Sequence, residues 1–484
     1  MQWTEKLQKS IARMMGKLDL LSLPVSGALM LMLLYLSLPL ISLLGVDVGM
    51  AKEHAGMLTS RSVLYSLVGI ACFTWGAFGF RHSTGRLAAA SISYGGAWNN
   101  QVRVLFICAA LLAAGFGSKL IHVIAGDYHL NKYLGHTSEL FLVKFFISLN
   151  TFHFIALAVA CCYYYWLKGR DEPGACLWRK IAFGLFAFEV ACGLLMRGSR
   201  FALVVPVAIL LLTRHYLYQR NNRLALIVGI IVVVVLFPVK NILRNPAELI
   251  NNYLGKGVMV LPCKGMDTLD IIYYGMDEFL GRANDQLDRD CAVGAAPLRD
   301  RRFPVGEVAA FASDSTVGRL AQAHVFALIV RDTNEYLYGR GFLHILVHFG
   351  ASHDFVERIS GVRPGDDFAV KAGFVGVDQG GNPLAGVGYT IMGDLYLNFG
   401  IVGTLAGMVL VGYLVRRVYC LVSEDATCSS VLVYTMVWIF VLHGFEQSLS
   451  AAMAKLFQIA AITMISSALM AVPAKKLPVC GAIH

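Results

Sequence analysis

The chain has 484 residues, of which 57% are hydrophobic and only 15% charged, with a formal net charge of +10 and a mean hydropathy of +0.62. Soluble domains carry about 25% charged residues, so a soluble globular fold is excluded, and topology and anionic lipid account for the cations without nucleic acid. An all-α polytopic membrane protein is the class that is left.

Residues 1–19 place Trp3, Leu7, Ile11, Met14 and Leu18 at helical spacing against a basic face, which predicts a helix lying on the membrane surface. The apolar run that follows is too long for a cleaved signal peptide and has no clear cleavage site. Long uncharged runs then recur at 20–46, 62–80, 145–167, 395–415, 426–445 and 456–474, with 104–126 holding one lysine, Lys119. A span needs roughly 20 apolar residues, and each of these is long enough. Three shorter runs, 181–196 (with Glu189 inside), 201–213 and 224–239, bring the expected number of transmembrane helices to about ten. The alternative is eight or nine, with one short run re-entrant or buried.

Basic residues in short loops set the orientation. They fall in the N-terminal stretch (Lys6, Lys9, Arg13, Lys17), in loops 81–103, 168–180 and 214–223, at Arg416 and Arg417, and at Lys475 and Lys476. With ten spans all six regions share one side, the cytoplasm, so both termini are expected inside a bacterial inner membrane. The chain divides into an interfacial helix (1–19), seven spans (20–240), one large periplasmic segment (241–386), and three spans with a cytoplasmic tail (387–484). The periplasmic segment holds 14 Lys and Arg against 18 Asp and Glu, reversing the sign of the rest. Within it 265–285 and 316–349 read as helices, the second broken near Gly339–Gly341, with 341–349 apolar enough to dip into the interface. Eight glycines with Pro364 and Pro383 make 361–388 an irregular loop. Eleven cysteines are scattered without metal-ligand spacing, so no metal or cofactor is expected. Cys263 and Cys291 lie in the periplasmic segment, an oxidising compartment, and are candidates for a disulfide.

Several charges sit where lipid should forbid them. Arg197 and Arg200 flank a Gly-Ser turn between two runs that both look too short to span, which places the turn below the membrane surface. Snorkelling anchors are the alternative. "PVKNILRNP" adds Lys240 and Arg244 at i and i+4, on one helical face. The arginine fork matches phosphate oxygens bidentately, so this cation cluster suits a diphosphate, or else pairs with acids of the loop. "YLYGRGF", 336–342, puts Arg340 between glycines and beside two tyrosines. Asp394 is either a helix-start charge, favoured by the dipole, or a catalytic base. His443 and Glu446 lie one turn apart at the outer end of a span. Glu189 is expected to pair with one of the arginines.

"RGSR" opening a span, "KNILRNP" closing the next, "YGRGF", Arg363-Pro364 and "GDLYLNFGIVG" in this order resemble the bacterial oligosaccharide repeat-unit polymerases, the O-antigen polymerase family. The resemblance covers roughly 185–415. It implies a helical membrane glycosyltransferase on the periplasmic face, moving a growing glycan from undecaprenyl diphosphate onto the next carrier-linked repeat unit. A chain-length regulator protein would be a possible partner. Carried over, Arg197, Arg200, Arg244 and Arg340 would hold the diphosphate, joined by Lys240 and Arg363. The resemblance does not fix the base among Asp394, His443 and Glu446. Two rivals stay open: an O-antigen ligase acting on a lipid A-core acceptor, and a lipid-linked glycan flippase or anion transporter. The latter needs polar residues along a full transmembrane path, and the first two and last two spans hold almost none.

Overall fold

The computed structural model describes residues 19–44, 58–80, 98, 100–124, 151–195, 201–218, 323–333, 336–348, 353–361, 390–423, 426–445 and 449–470. Arg197, Arg200, Lys240, Arg244, Arg363, Glu446, Cys263, Cys291 and the predicted surface helix before residue 19 lie outside them, as do the run 224–239 and the predicted helix 265–285. In chain order the helices are α1 (Leu23–Leu43), α2 (Ser60–Phe78), α3 (Gln101–Ile124), α4 (Phe152–Gly169), α5 (Ala175–Leu195), α6 (Phe201–Leu217) and α7 (Ala323–Asp332). A 3₁₀ turn (Arg340–His344) leads into α8 (Ile345–His348), then α9 (His353–Ser360), α10 (Ile391–Ser423), α11 (Cys428–Gly444) and α12 (Leu449–Met470). No strand occurs among the described residues. Five of these helices, α1, α2, α3, α10 and α12, are long and apolar enough to cross a membrane. Leu203–Leu217 and Cys428–Gly444 are apolar but shorter. Large apolar side chains such as Leu43, Trp75, Val102, Phe106, Val402 and Ile465 face outward, as expected where lipid is the solvent.

Local chemistry sets the helix ends. Thr59 and Ser62 form a reciprocal capping box at the start of α2, and Thr427 and Ser430 do the same for α11. Glycines bring α2 and α10 into backbone contact: a Cβ on Gly76 would meet the Val409 carbonyl, and one on Gly412 the Phe73 carbonyl. Close approach at small residues is how apolar helices associate without a hydrophobic drive between them.

One end of the bundle collects basic and tyrosine side chains. The Lys168 ammonium lies 4.6 Å from the centroid of the Tyr218 ring, Arg170 stacks on Trp166, and Arg416 lies over Tyr419. Asp19, just before α1, fastens this end. Its carboxylate accepts from the Tyr216 and Tyr419 hydroxyls at 3.0 and 3.2 Å and from the Leu21 N–H at 3.1 Å. His215 Nε2 lies 3.2 Å away. Burial pushes the Asp19 carboxyl up, but the His215 hydrogen bond and charge, with those from Tyr216 and Leu21, outweigh it and hold the group below the usual carboxylate range.

Two expectations change. The helix over 181–196 starts earlier, at Ala175, and takes Arg179 and Lys180 into its first turns. Its 21 residues reach about 32 Å at ~1.5 Å each, so of α5 and α6 only α6, at 17 residues, is short. The helix expected over 316–349 breaks earlier than Gly339: α7 ends at Asp332 and a loop follows. α7 is the buried part of this stretch. Residues 323–330 are all buried, with Phe326 edge-on to Tyr35 of α1 and to Tyr396 of α10. The driving force is plain, since Val325, Phe326, Ile329 and Val330 find an apolar slot there.

Candidate functional site

At the end of the bundle opposite Asp19, two sequence motifs 57 positions apart meet. α10 begins with "IMGDLYLNFG", and Gly400 breaks it with φ 64° and ψ −160°. Only glycine takes such angles cheaply. Just before the break, the Leu397 and Asn398 carbonyls accept from the Leu337 and Tyr338 N–H groups at 2.9 and 2.8 Å. The Gly341 N–H donates to Asn398 Oδ1 at 3.1 Å. The "YLYGRGF" turn is thus pinned across the start of α10, with the Tyr336 ring packed over Gly400. Tyr338 is held at φ 50°, a region that costs a bulky residue about 1–3 kcal/mol. The bonds on either side of it impose that strain, and the ring is left 74% exposed.

Asp394 lies beneath this turn and is buried. Its Oδ1 accepts from Asn398 Nδ2 at 3.0 Å, and its Oδ2 accepts from the Leu449 N–H, the first of α12, at 2.7 Å. Of the two roles the sequence left open, the geometry favours the helix-start charge, in an unexpected form. Asp394 sits in the first turn of its own helix and also caps the N-terminus of α12, where a carboxylate is stabilised by unsatisfied N–H groups and the dipole. Asn398 then relays its position to the turn carrying Arg340. His443 ends α11 close enough to Lys455 of α12 to interact electrostatically, and the Phe445 carbonyl accepts from the Ile391 N–H at 3.4 Å.

Arg340 is exposed. Its Nε–H donates to the Leu337 carbonyl at 3.1 Å, so part of its fork stiffens its own turn. Of the nine predicted site residues, the structure therefore brings Asp394, Arg340 and His443 to one end of the bundle; the other six lie outside the described residues.

Three side chains at this end escaped the sequence reading, Arg61, Tyr65 and Tyr396. Arg61, in the first turn of α2, donates from Nε to the Tyr65 hydroxyl at 3.0 Å, with its guanidinium 5.3 Å from the centre of that ring. Tyr65 contacts Tyr396, Tyr396 contacts Tyr336, and Tyr336 contacts Tyr338, at ring-centroid separations of 6.2, 6.0 and 6.4 Å. A continuous run of tyrosines thus connects α2 to the Arg340 turn. Periodicity hides it, because Tyr65 and Tyr396 read as apolar members of their spans.

Glu189 has a neighbour that the sequence did not suggest. Its Oε2 lies 2.8 Å from His153 Nδ1, with both side chains at most 3% exposed, while the arginines expected to pair with it, Arg197 and Arg200, lie outside the described residues. The pair joins α4 to α5, with the imidazole stacked on Phe116 of α3. No group of three or more His, Cys, Asp or Glu side chains among the described residues is placed to hold a metal. The chain matches no family model, characterised protein or solved structure.

Proposed function

We propose that the chain is a membrane glycosyltransferase that polymerises undecaprenyl-diphosphate-linked oligosaccharide units on the periplasmic face of a bacterial inner membrane. The supporting observation is the convergence of "YGRGF" with "GDLYLNFG": the two motifs, far apart in sequence, build one tyrosine-rich, arginine-bearing surface at the end of the bundle away from the basic loops. In this reading the basic end is cytoplasmic, the chain crosses the membrane about ten times, and 241–386 is periplasmic.

The acceptor hydroxyl attacks the anomeric carbon of the donor glycan. Its proton passes to a base, and the bond to the carrier's diphosphate breaks with its electron pair leaving on the phosphate oxygen. Arg197, Arg200, Lys240, Arg244, Arg340 and Arg363 would carry the developing negative charge, the kind of preorganised electrostatic stabilisation that dominates such steps. With Asp394 committed to α12, His443 and Glu446 are the better bases.

The test is glycan laddering in a deletion strain complemented with variants, with abundance checked by immunoblot. Arg197→Ala and Arg200→Ala should each shorten or abolish the ladder, and Arg→Lys should fail nearly as badly, because the charge stays and the fork is lost. Losing one charge-assisted contact, ~1.5–3 kcal/mol, corresponds to about a tenfold to hundredfold lower rate. Full-length ladders from both alanine variants at normal abundance would refute the diphosphate clamp. Intact ladders in the deletion strain with glycan missing from lipid A-core would instead identify a ligase.

A further inference from the structure

The geometry points to a ligand subsite that the sequence does not reveal: Arg61 of α2 and Arg340 of the 336–342 turn bracket the tyrosine run and together take a sugar linked to a diphosphate. Phosphate oxygens would sit at Arg61, and sugar rings would lie against Tyr338 and Tyr336. This rests on the glycan-transfer reading above and adds residues and a ligand class to it.

Four observations carry it. The Arg61 guanidinium is ordered by its Nε–H bond to Tyr65 and its position over that ring. This leaves four terminal N–H donors with no hydrogen bond or ion pair among the described residues. Second, helix capping gives Arg61 no reason to be there. Helix starts favour acids and disfavour cations, and α2 is already closed by its Thr59–Ser62 capping box. Nor does it belong to the basic cluster of Lys168, Arg170 and Arg416, which lies at the other end of the bundle. Third, the tyrosines form one contact chain from Arg61 to the Arg340 turn. Aromatic rings with a polar edge suit pyranose faces, and their hydroxyls suit sugar hydroxyls. Last, Tyr338 is held exposed in a strained backbone region, and strain of this kind collects where a side chain must be presented.

The experiment uses the full-length protein in lipid nanodiscs and three soluble probes: citronellyl diphosphate carrying N-acetylglucosamine, citronellyl diphosphate alone, and N-acetylglucosamine alone. Affinity is read by titration calorimetry. Arg61→Ala should weaken both diphosphate probes about tenfold to a hundredfold, as expected for one charge-assisted contact, and Arg61→Lys should recover only part of that. Tyr338→Ala should weaken the sugar-bearing probe several-fold and leave citronellyl diphosphate unchanged. Both side chains are exposed, so the variants should keep the wild-type melting temperature. Equal affinity of wild type and Arg61→Ala for the diphosphate probes overturns the subsite, as does failure of the wild type to bind either. The two readings separate cleanly. Ladders that need Arg197 and Arg200 beside probe binding indifferent to Arg61 would sink the subsite alone. Arg61-dependent binding with ladders indifferent to Arg197 and Arg200 would sink the clamp and leave the subsite.

Discussion

Replacing Asp394 by alanine separates a structural acid from a chemical one. The carboxylate accepts from the Leu449 N–H at 2.7 Å and from Asn398 Nδ2 at 3.0 Å. The first is charge-assisted and satisfies the opening N–H of α12; its loss is worth about 1.5–3 kcal/mol. The second is partly redundant, because Asn398 Nδ2 also donates to the Asp394 backbone carbonyl at 2.9 Å, which alanine retains. These two contacts together are worth about 2–3 kcal/mol, dominated by the cap. At ~2 °C per kcal/mol, the low end for larger domains, the melting temperature in nanodiscs should fall by roughly 4–6 °C. Asp394→Asn keeps one acceptor oxygen and should lose about half as much. A second effect follows from position: Asn398 holds the Gly341 N–H, so loosening it loosens the Arg340 turn, and transfer activity should fall in step with the melting temperature. An unchanged melting temperature with abolished glycan transfer would refute this reasoning and return Asp394 to the role of base.

Two further outcomes test the bundle. Because the folded state holds the Asp19 carboxyl low, its stabilising contribution is fully present above the unfolded value, about 3.9, and is lost as pH falls through the lower folded value. Asp19→Asn should melt earlier than wild type at pH 6, and the gap should close below about pH 4; a gap that widens on acidification would contradict the network with His215, Tyr216 and Tyr419. For the buried pair, His153→Ala leaves Glu189 without its imidazole partner and should destabilise by about 3–5 kcal/mol. The double variant His153→Phe with Glu189→Leu should recover much of that loss, and strict additivity in a double-mutant cycle of thermal unfolding would show that the two groups do not interact.

The sequence by itself determined the helical class and the positions of the main apolar helices. That information is local: about 20 uncharged residues in a row need no partner to be recognised. The sequence also picked out Asp394 and His443 near helix ends and Arg340 between glycines, without saying what each touches. Only the tertiary structure decided that Asp394 caps α12, 55 positions away, that Glu189 lies against His153, and that residues 323–330 pack inside the bundle. The Arg61-to-Arg340 tyrosine run is the clearest case. Its rings come from α2, α10 and the loop between α7 and α8, and no spacing in a one-dimensional pattern records a contact between them. Such contacts arise only when apolar helices pack at glycines such as Gly76 and Gly412, and when a glycine at 400 breaks α10 so that a distant turn can bond to its carbonyls.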